Sequence, residues 1–212
     1  RGGIWVKPRK DDWSDMHWQM RNWYYFTWLS GDFNVEQHVH YLDASAWIMG
    51  RYPVKALGMG GRQSRTDAIY GNIYDHHSVA YEYENGAKLF SNCRQQLGCK
   101  NNISCYVHGA KGKAEVSERN LQIDTDQTWK FDKEVKNMYQ VEHDDLFAGI
   151  RAGKPLNNGE YMAMSTLLAI MGRMASYTGK EITWEQALNS QQDLSPEKYA
   201  WGAAPKVEIA IP

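Results

Sequence analysis

Apolar and polar positions alternate most cleanly in the middle of the chain. Residues 73–83 and 87–95 both follow a two-residue period, and Glu84-Asn85-Gly86 joins them. Asn-Gly readily adopts the left-handed backbone of a tight turn, so the pair predicts a β-hairpin with Val79, Tyr81 and Tyr83 on one face. Residues 103–108 and 113–116 flank Gly109-Ala-Lys-Gly112 and predict a second hairpin. Short strands are expected at 121–124 and 129–131, and residues 54–61 read as a strand ending in glycines. Residues 1–7 read as the end of another strand. After Gly61 a long polar loop runs to Asn72, where Gly71-Asn72 is a turn signal.

Elsewhere the period lengthens to 3.6. Residues 160–177 place Met164, Leu167, Leu168, Met171 and Met174 on one face, with Gly179 beyond, and such a methionine stripe reads as core. Val141, Leu146, Phe147 and Ile150 mark another helix, stopped by Gly153-Lys-Pro155. Thr183-Trp-Glu-Gln186 is a capping box opening a short helix, and the tail after Ser195 reads as extended. Residues 32–50 predict one helix. Asn34 with Gln37 forms its capping box, Val35, Val39, Leu42, Ala46 and Met49 its apolar face, and Gly50 its left-handed end. The ring-rich segment 15–29 fits neither period and reads as a short helix and a loop. The layout is α+β: an open, mostly antiparallel sheet with helices packed on one face, in a single domain over 1–212. The uncovered sheet face predicts a homo-oligomer.

Composition narrows the picture. An apolar content of 42% with 23% charge excludes disorder for most of the 212 residues. A formal charge of −1 argues against nucleic acid or an anionic membrane as partner, and no apolar run is long enough to span a bilayer. Nine Trp and thirteen Tyr against five Phe favour rings with a polar handle, which suit polyhydroxylated ligands and interfaces. Cys93, Cys99 and Cys105 lack a C-x-x-C spacing, so they give neither a zinc site nor a disulfide framework and read as small buried hydrophobes. Gly58, Gly60 and Gly61 have the wrong spacing for a dinucleotide fingerprint, and Arg62-Gln-Ser-Arg65 does not open a helix. No cofactor-binding residue is assigned. The chain begins at Arg1 without methionine or signal sequence, and is expected to be a fragment with an upstream part missing.

Candidate chemistry concentrates in 32–50. Glu36, His40, Asp43 and Trp47 form a stripe beside the apolar face, placing a carboxylate where it could orient a histidine for general-base work. The competing reading is a solvated polar face. His38 lies two residues before His40, on the opposite side of a helix, so the two do not share a metal. In the ring-rich segment, Arg21 and Asn22 sit among aromatic residues, and a buried guanidinium and amide both need partners. The segment reads either as plain core or as a sugar-binding surface. Asp75-His76-His77 is a second polar cluster; as a metal site it lacks a further ligand, and no metal site is assigned.

The stretches Arg-Asn-Trp-Tyr-Tyr-Phe-Thr-Trp-Leu-Ser-Gly (21–31), Glu-Gln-His-Val-His-Tyr-Leu-Asp (36–43), Gly-Met-Gly-Gly-Arg-Gln (58–63) and Ile-Arg-Ala-Gly-Lys-Pro (150–155) resemble the glucose–fructose oxidoreductase / inositol dehydrogenase (Gfo/Idh/MocA) family. So does 178–188. The resemblance covers nearly the whole chain and is to the C-terminal domain of a bacterial branch. It implies a domain that contacts substrate and oligomerises through its open sheet, beside an N-terminal Rossmann domain holding NAD or NADP. That domain is absent here, so the chain alone is expected to be inactive. In the family's Asp-x-Gly-x-His motif the histidine moves a proton on a sugar or polyol hydroxyl. His40 matches it, Glu36 stands in the aspartate's place and His38 in the glycine's. The resemblance implies His40 and Glu36 as catalytic residues. Arg21, Trp23, Tyr24, Tyr25, His38, Arg62, Asp75 and His76 are the candidates for binding a sugar, polyol or glycoside. NAD-assisted glycoside hydrolysis, epimerisation, and a non-catalytic carbohydrate-binding or assembly module are the alternatives. The compartment stays open between export to the periplasm and the cytoplasm.

Overall fold

A computed structural model describes residues 4–117 and 120–205. The fold is α+β, and every strand pairing in it is antiparallel. The chain divides into two compact units, residues 1–101 with 164–212, and Asn102–Ala163.

In the first unit the ring-rich segment becomes α1 (Asp15–Arg21), a 3-10 turn over Trp23–Tyr25, and α2 (Thr27–Ser30). Three short pieces bury different sides, which is why neither period fitted. Tyr24, Tyr25, Phe26, Phe33 and Ile73 form the resulting core cluster. Asn22 is fully buried and acts as a backbone tie. Its Oδ1 accepts from Lys7 N at 2.8 Å, and its Nδ2 donates to Lys7 O at 3.0 Å and Trp18 O at 3.2 Å. A side-chain amide, not a neighbouring strand, satisfies this backbone, so residues 4–7 form no strand, contrary to expectation. The rest of that expected strand, residues 1–3, lies outside the described residues.

The single helix expected over 32–50 is two: α3 (Phe33–Glu36) and α4 (Val39–Met49). The Asn34–Gln37 capping box does not form. Asn34 lies inside α3 and its Nδ2 donates to Ala169 O at 2.9 Å, while Gln37 Oε1 is taken by Gln95. The apolar face does form: Leu42 and Ala46 are buried, with Val35 and Val39 packed on the same cluster. Gly50 ends α4 with φ of 65°.

β1 (Lys55–Gly61), β2 (His76–Glu82), β3 (Lys88–Arg94) and β8 (Ile182–Thr183) make a sheet in the order β3-β2-β1-β8. Gly86, φ 81°, closes the β2–β3 hairpin. Ala56, Val79 and Tyr81 on its inner face pack with Leu42 and Ala46. Leu168, Met171 and Ala175 of α6 (Gly159–Thr178) complete that core with Ala187 of α7 (Trp184–Leu188), which the predicted Thr183–Gln186 capping box opens. At Gly172 a Cβ would overlap the Tyr81 hydroxyl, so glycine permits the close approach of α6. On the outer face Leu57, Ala80 and Phe90 stand in register, with Leu57 53%, Met59 71% and Phe90 70% exposed.

Residues 95–103 contain no strand, so the expected single sheet stops at β3 and a separate one follows. In the second unit β4 (Ser104–Gly109), β5 (Gly112–Ser117), β6 (Leu121–Asp124) and β7 (Thr128–Lys130) form a meander. Register sets Val107, Ala114, Ile123 and Trp129 in one apolar row. α5 (Met138–Arg151) is capped by the Asn137 side chain, yet its Leu146, Phe147 and Ile150 are all exposed. No described residue of this unit is fully buried. None of the three cysteines is in a disulfide and all are half-buried; Cys93 packs against the Tyr24–Ile73 cluster, as expected of a small apolar side chain, while Cys99 and Cys105 are not in a core cluster.

Candidate active site at the break between α3 and α4

Glu36 ends α3 and His40 lies in the first turn of α4, with Gln37 and His38 between. Phe33 O accepts from both Gln37 N (3.0 Å) and His38 N (2.9 Å), so the break holds one residue more than an α-turn. His40 is exposed. Glu36 is half-buried, and its Oε2 is buried with no hydrogen-bond partner among the described residues. Burial raises the Glu36 carboxyl above the ordinary range, and the nearby His40 ring pulls it back. Among the described residues Glu36 and His40 act on each other through charge, with no hydrogen bond or ion pair joining them.

Tyr24 flanks this pair. It is 2% exposed, and burial pushes its phenol well up, with the Glu36 charge adding to the rise. Its hydroxyl accepts from Gln95 Nε2 at 2.5 Å and donates to Gln37 Oε1 at 3.4 Å. Tyr25 is sealed in the core, where its hydroxyl donates to Ile4 O at 2.8 Å. His38 turns inward: its Nε2 lies 2.7 Å from Ser91 Oγ, and burial, assisted by His77, lowers its pKa to about 4. It is a neutral imidazole at ordinary pH. Arg21 is exposed, not buried among the rings as its setting suggested, and lies 5.4 Å over the Trp13 ring. Trp23 is partly exposed beside Trp5, ring centroids 6.1 Å apart.

The remaining candidates gather elsewhere in the same unit. Asp75 is buried, and its Oδ2 accepts from three successive amides, Gln63 N (2.8 Å), Ser64 N (2.6 Å) and Arg65 N (2.9 Å). Its Oδ1 meets His76 Nδ1 at 2.7 Å, and the His76 ring is 39% exposed. Burial alone would raise the Asp75 carboxyl, but His76 and the three amides hold it below the usual range. Arg62 donates to Arg65 O (2.6 Å), Gly71 O (2.6 Å) and Asp67 O (2.9 Å), all carbonyls of its own loop. Asp75 and Arg62 therefore close the 62–75 loop, and only His76 of this trio offers a ring to solvent.

Sequence reading missed two buried centres. Asp32 has φ of 79° and is fully buried. Its Oδ2 accepts from Tyr74 N (2.9 Å) and the Tyr177 hydroxyl (2.5 Å) and lies 3.3 Å from His77 Nε2. Burial would raise this carboxyl; His77, Tyr177 and the Tyr74 amide bring it below the ordinary value. The other centre is Gln95, expected as the last residue of the second hairpin strand but lying just past β3, where nothing in the sequence marked it for a buried role.

The glycines of β1 do not fit a dinucleotide. A Cβ on Gly60 would lie 2.6 Å from His76 O and one on Gly58 3.1 Å from Ser176 N, so the chain's own backbone fills that space. β1 also leads into a loop, not a helix. Among the described residues no group of three or more His, Cys, Asp or Glu is placed to hold a metal ion, and no helix is long and apolar enough to cross a membrane. An open depression of about 330 Å³ in the second unit, lined by Val107, Lys111 and Ile123 among others, contains none of the candidates.

The GFO/IDH/MocA C-terminal domain profile matches residues 6–115, which include the whole α3–α4 break, and the chain belongs to that family. No curated protein sequence matches it. Among solved structures it is similar to the aldose-aldose oxidoreductase of Caulobacter crescentus complexed with glycerol, at 17% identity, a TM-score of 0.63, and 76% of this chain on 50% of that one. It is also similar to the UDP-N-acetylglucosamine 3-dehydrogenase of Acidithiobacillus ferrooxidans, with 17% identity, TM-score 0.55, and coverage of 80% and 49%. A third is an Agrobacterium radiobacter oxidoreductase in complex with NAD+, L-tartaric acid and magnesium, with 12% identity, TM-score 0.54, and coverage of 70% and 48%. The chain thus spans about half the length of these structures.

Proposed function

We propose that this chain is the substrate-binding and oligomerisation part of an NAD(P)-dependent oxidoreductase acting on a sugar, polyol or glycoside. The observation that carries the reading is the exposed His40 near the half-buried Glu36, whose Oε2 has no hydrogen-bond partner among the described residues. His40 takes the proton of a substrate hydroxyl or returns it, and Glu36 orients His40. Tyr24 borders the pair, while Trp23, Arg21 and the accessible His76 ring are the substrate-facing candidates. The nicotinamide is assigned to a segment other than this one, and alone the chain is expected to turn nothing over. Relatives by fold that are described as aldose and nucleotide-sugar oxidoreductases support the substrate class. The Leu57–Ala80–Phe90 row on the outer sheet face is the proposed contact between copies.

The test is His40→Asn in the intact protein, screened against sugars, polyols and glycosides with nicotinamide absorbance as readout. Loss of a positioned general base should lower turnover roughly 100-fold or more. Unchanged turnover overturns the assignment.

A further inference from the structure

The break between Glu36 and His40 contains neither proline nor glycine, so local sequence does not impose it. Tertiary hydrogen bonds hold both of its residues. His38 is fixed by Ser91 of β3, and Gln37 Oε1 accepts from Gln95 Nε2 at 2.6 Å. Gln95 is 3% exposed and uses its entire amide. Nε2 donates to Gln37 and to the Tyr24 hydroxyl, while Oε1 accepts from Arg65 Nη1 at 2.6 Å. Its backbone N donates to Asp75 O at 2.8 Å. Arg65 is 4% exposed, sits 5.5 Å over the Tyr25 ring, and is anchored through its own amide to Asp75 Oδ2. A continuous buried line therefore runs from the 62–75 loop through Arg65 and Gln95 to the residue following Glu36.

We propose that Gln37 and Gln95 are positioning residues: through them the Asp75-closed loop sets how Glu36 and His40 face each other. The inference rests on the reading of Glu36 and His40 as a working pair. Two short helices meeting at an uncapped break can swing about it unless something fixes the junction. The Gln95 amide, buried with both ends bonded, does so, because displacing it leaves a buried donor or acceptor unpaired. Neither glutamine touches substrate in this arrangement; both act through Glu36.

The test reads the Glu36 carboxyl titration by NMR, with and without His40→Gln, in the chain and in Gln37 variants. In the parent chain, His40→Gln moves the Glu36 midpoint upward, because the ring that pulls it down is gone. Gln37→Met keeps the side-chain length and removes the acceptor, leaving Gln95 bonded to Tyr24 and Arg65. In that background the upward shift shrinks to about half or less, as expected when a coupled geometry is lost. Gln37→Glu restores the acceptor and with it the shift. An undiminished shift in Gln37→Met overturns the positioning role and leaves the pair standing. No shift in the parent chain overturns the pair itself, and the inference with it. Should Gln37→Met lose its fold by circular dichroism, Gln37→Asn, whose amide falls short of Gln95, supplies the same comparison with the same two outcomes.

Discussion

His38 sits with Ser91 in a place too dry for an imidazolium, and this has a direct consequence for pH. Its folded pKa of about 4 lies below the ordinary 6.5. Above pH 6.5 both states are neutral there and the residue contributes no pH dependence. As pH falls from 6.5 towards 4 the unfolded chain takes up a proton that the folded chain refuses, so stability drops. At about 1.4 kcal/mol per unit, the full loss is about 3 kcal/mol. Urea midpoints at pH 7 and pH 5 should separate in the parent chain and converge in His38→Gln; equal separation in both refutes this account. Glu36, with its raised carboxyl, works in the opposite sense, which is why the variant comparison is required. The ionised Asp32 and Asp75 carboxylates, both held low, lose their contributions only below the usual carboxylate range.

Among elements, α6 makes the tightest approach, and glycine sets it. Gly172→Ala drives a methyl into the Tyr81 hydroxyl, itself bonded to Leu168 O, and should cost about 2 kcal/mol or more by denaturant unfolding. Gly50→Ala meets open space and only the strain of a positive φ, so about 1 kcal/mol is expected there. Elements whose local chemistry agrees with their surroundings could be read from sequence. The Asn85-Gly86 hairpin and the Thr183 capping box formed as their residue spacing implied, and of the α6 face Leu168 and Met171 are buried, Leu167 and Met174 pack against them and Met164 stays outside the cluster. The α3–α4 break could not be read, because Glu36-Gln-His-Val-His40 is sound helical sequence and the interruption comes from Ser91 and Gln95, more than fifty residues away. For the same reason His40 and Glu36 stood out as chemistry while Asp32, Arg65 and Gln95 did not. Their roles exist only once β2, β3 and the 62–75 loop are assembled.

For the whole molecule, the outer face of the β3-β2-β1-β8 sheet is the proposed contact between copies. Leu57, Met59 and Phe90 are exposed there, bordered by the Lys55–Glu181 and Lys88–Glu82 ion pairs at 3.1 and 3.4 Å. An apolar strip with a charged rim is the layout of a contact surface. Phe90→Asp should therefore lower the sedimenting mass of the intact protein at micromolar concentration, and an unchanged profile would remove this face from the proposal. The meander of Asn102–Ala163 has a different consequence. A segment of this length in which no described side chain is wholly withdrawn from water lacks a dry interior, so it cannot melt as a cooperative body of its own. Its ladder will breathe while the Tyr81–Leu168 interior stays shut, and its amides will trade their hydrogens with solvent long before those of β2.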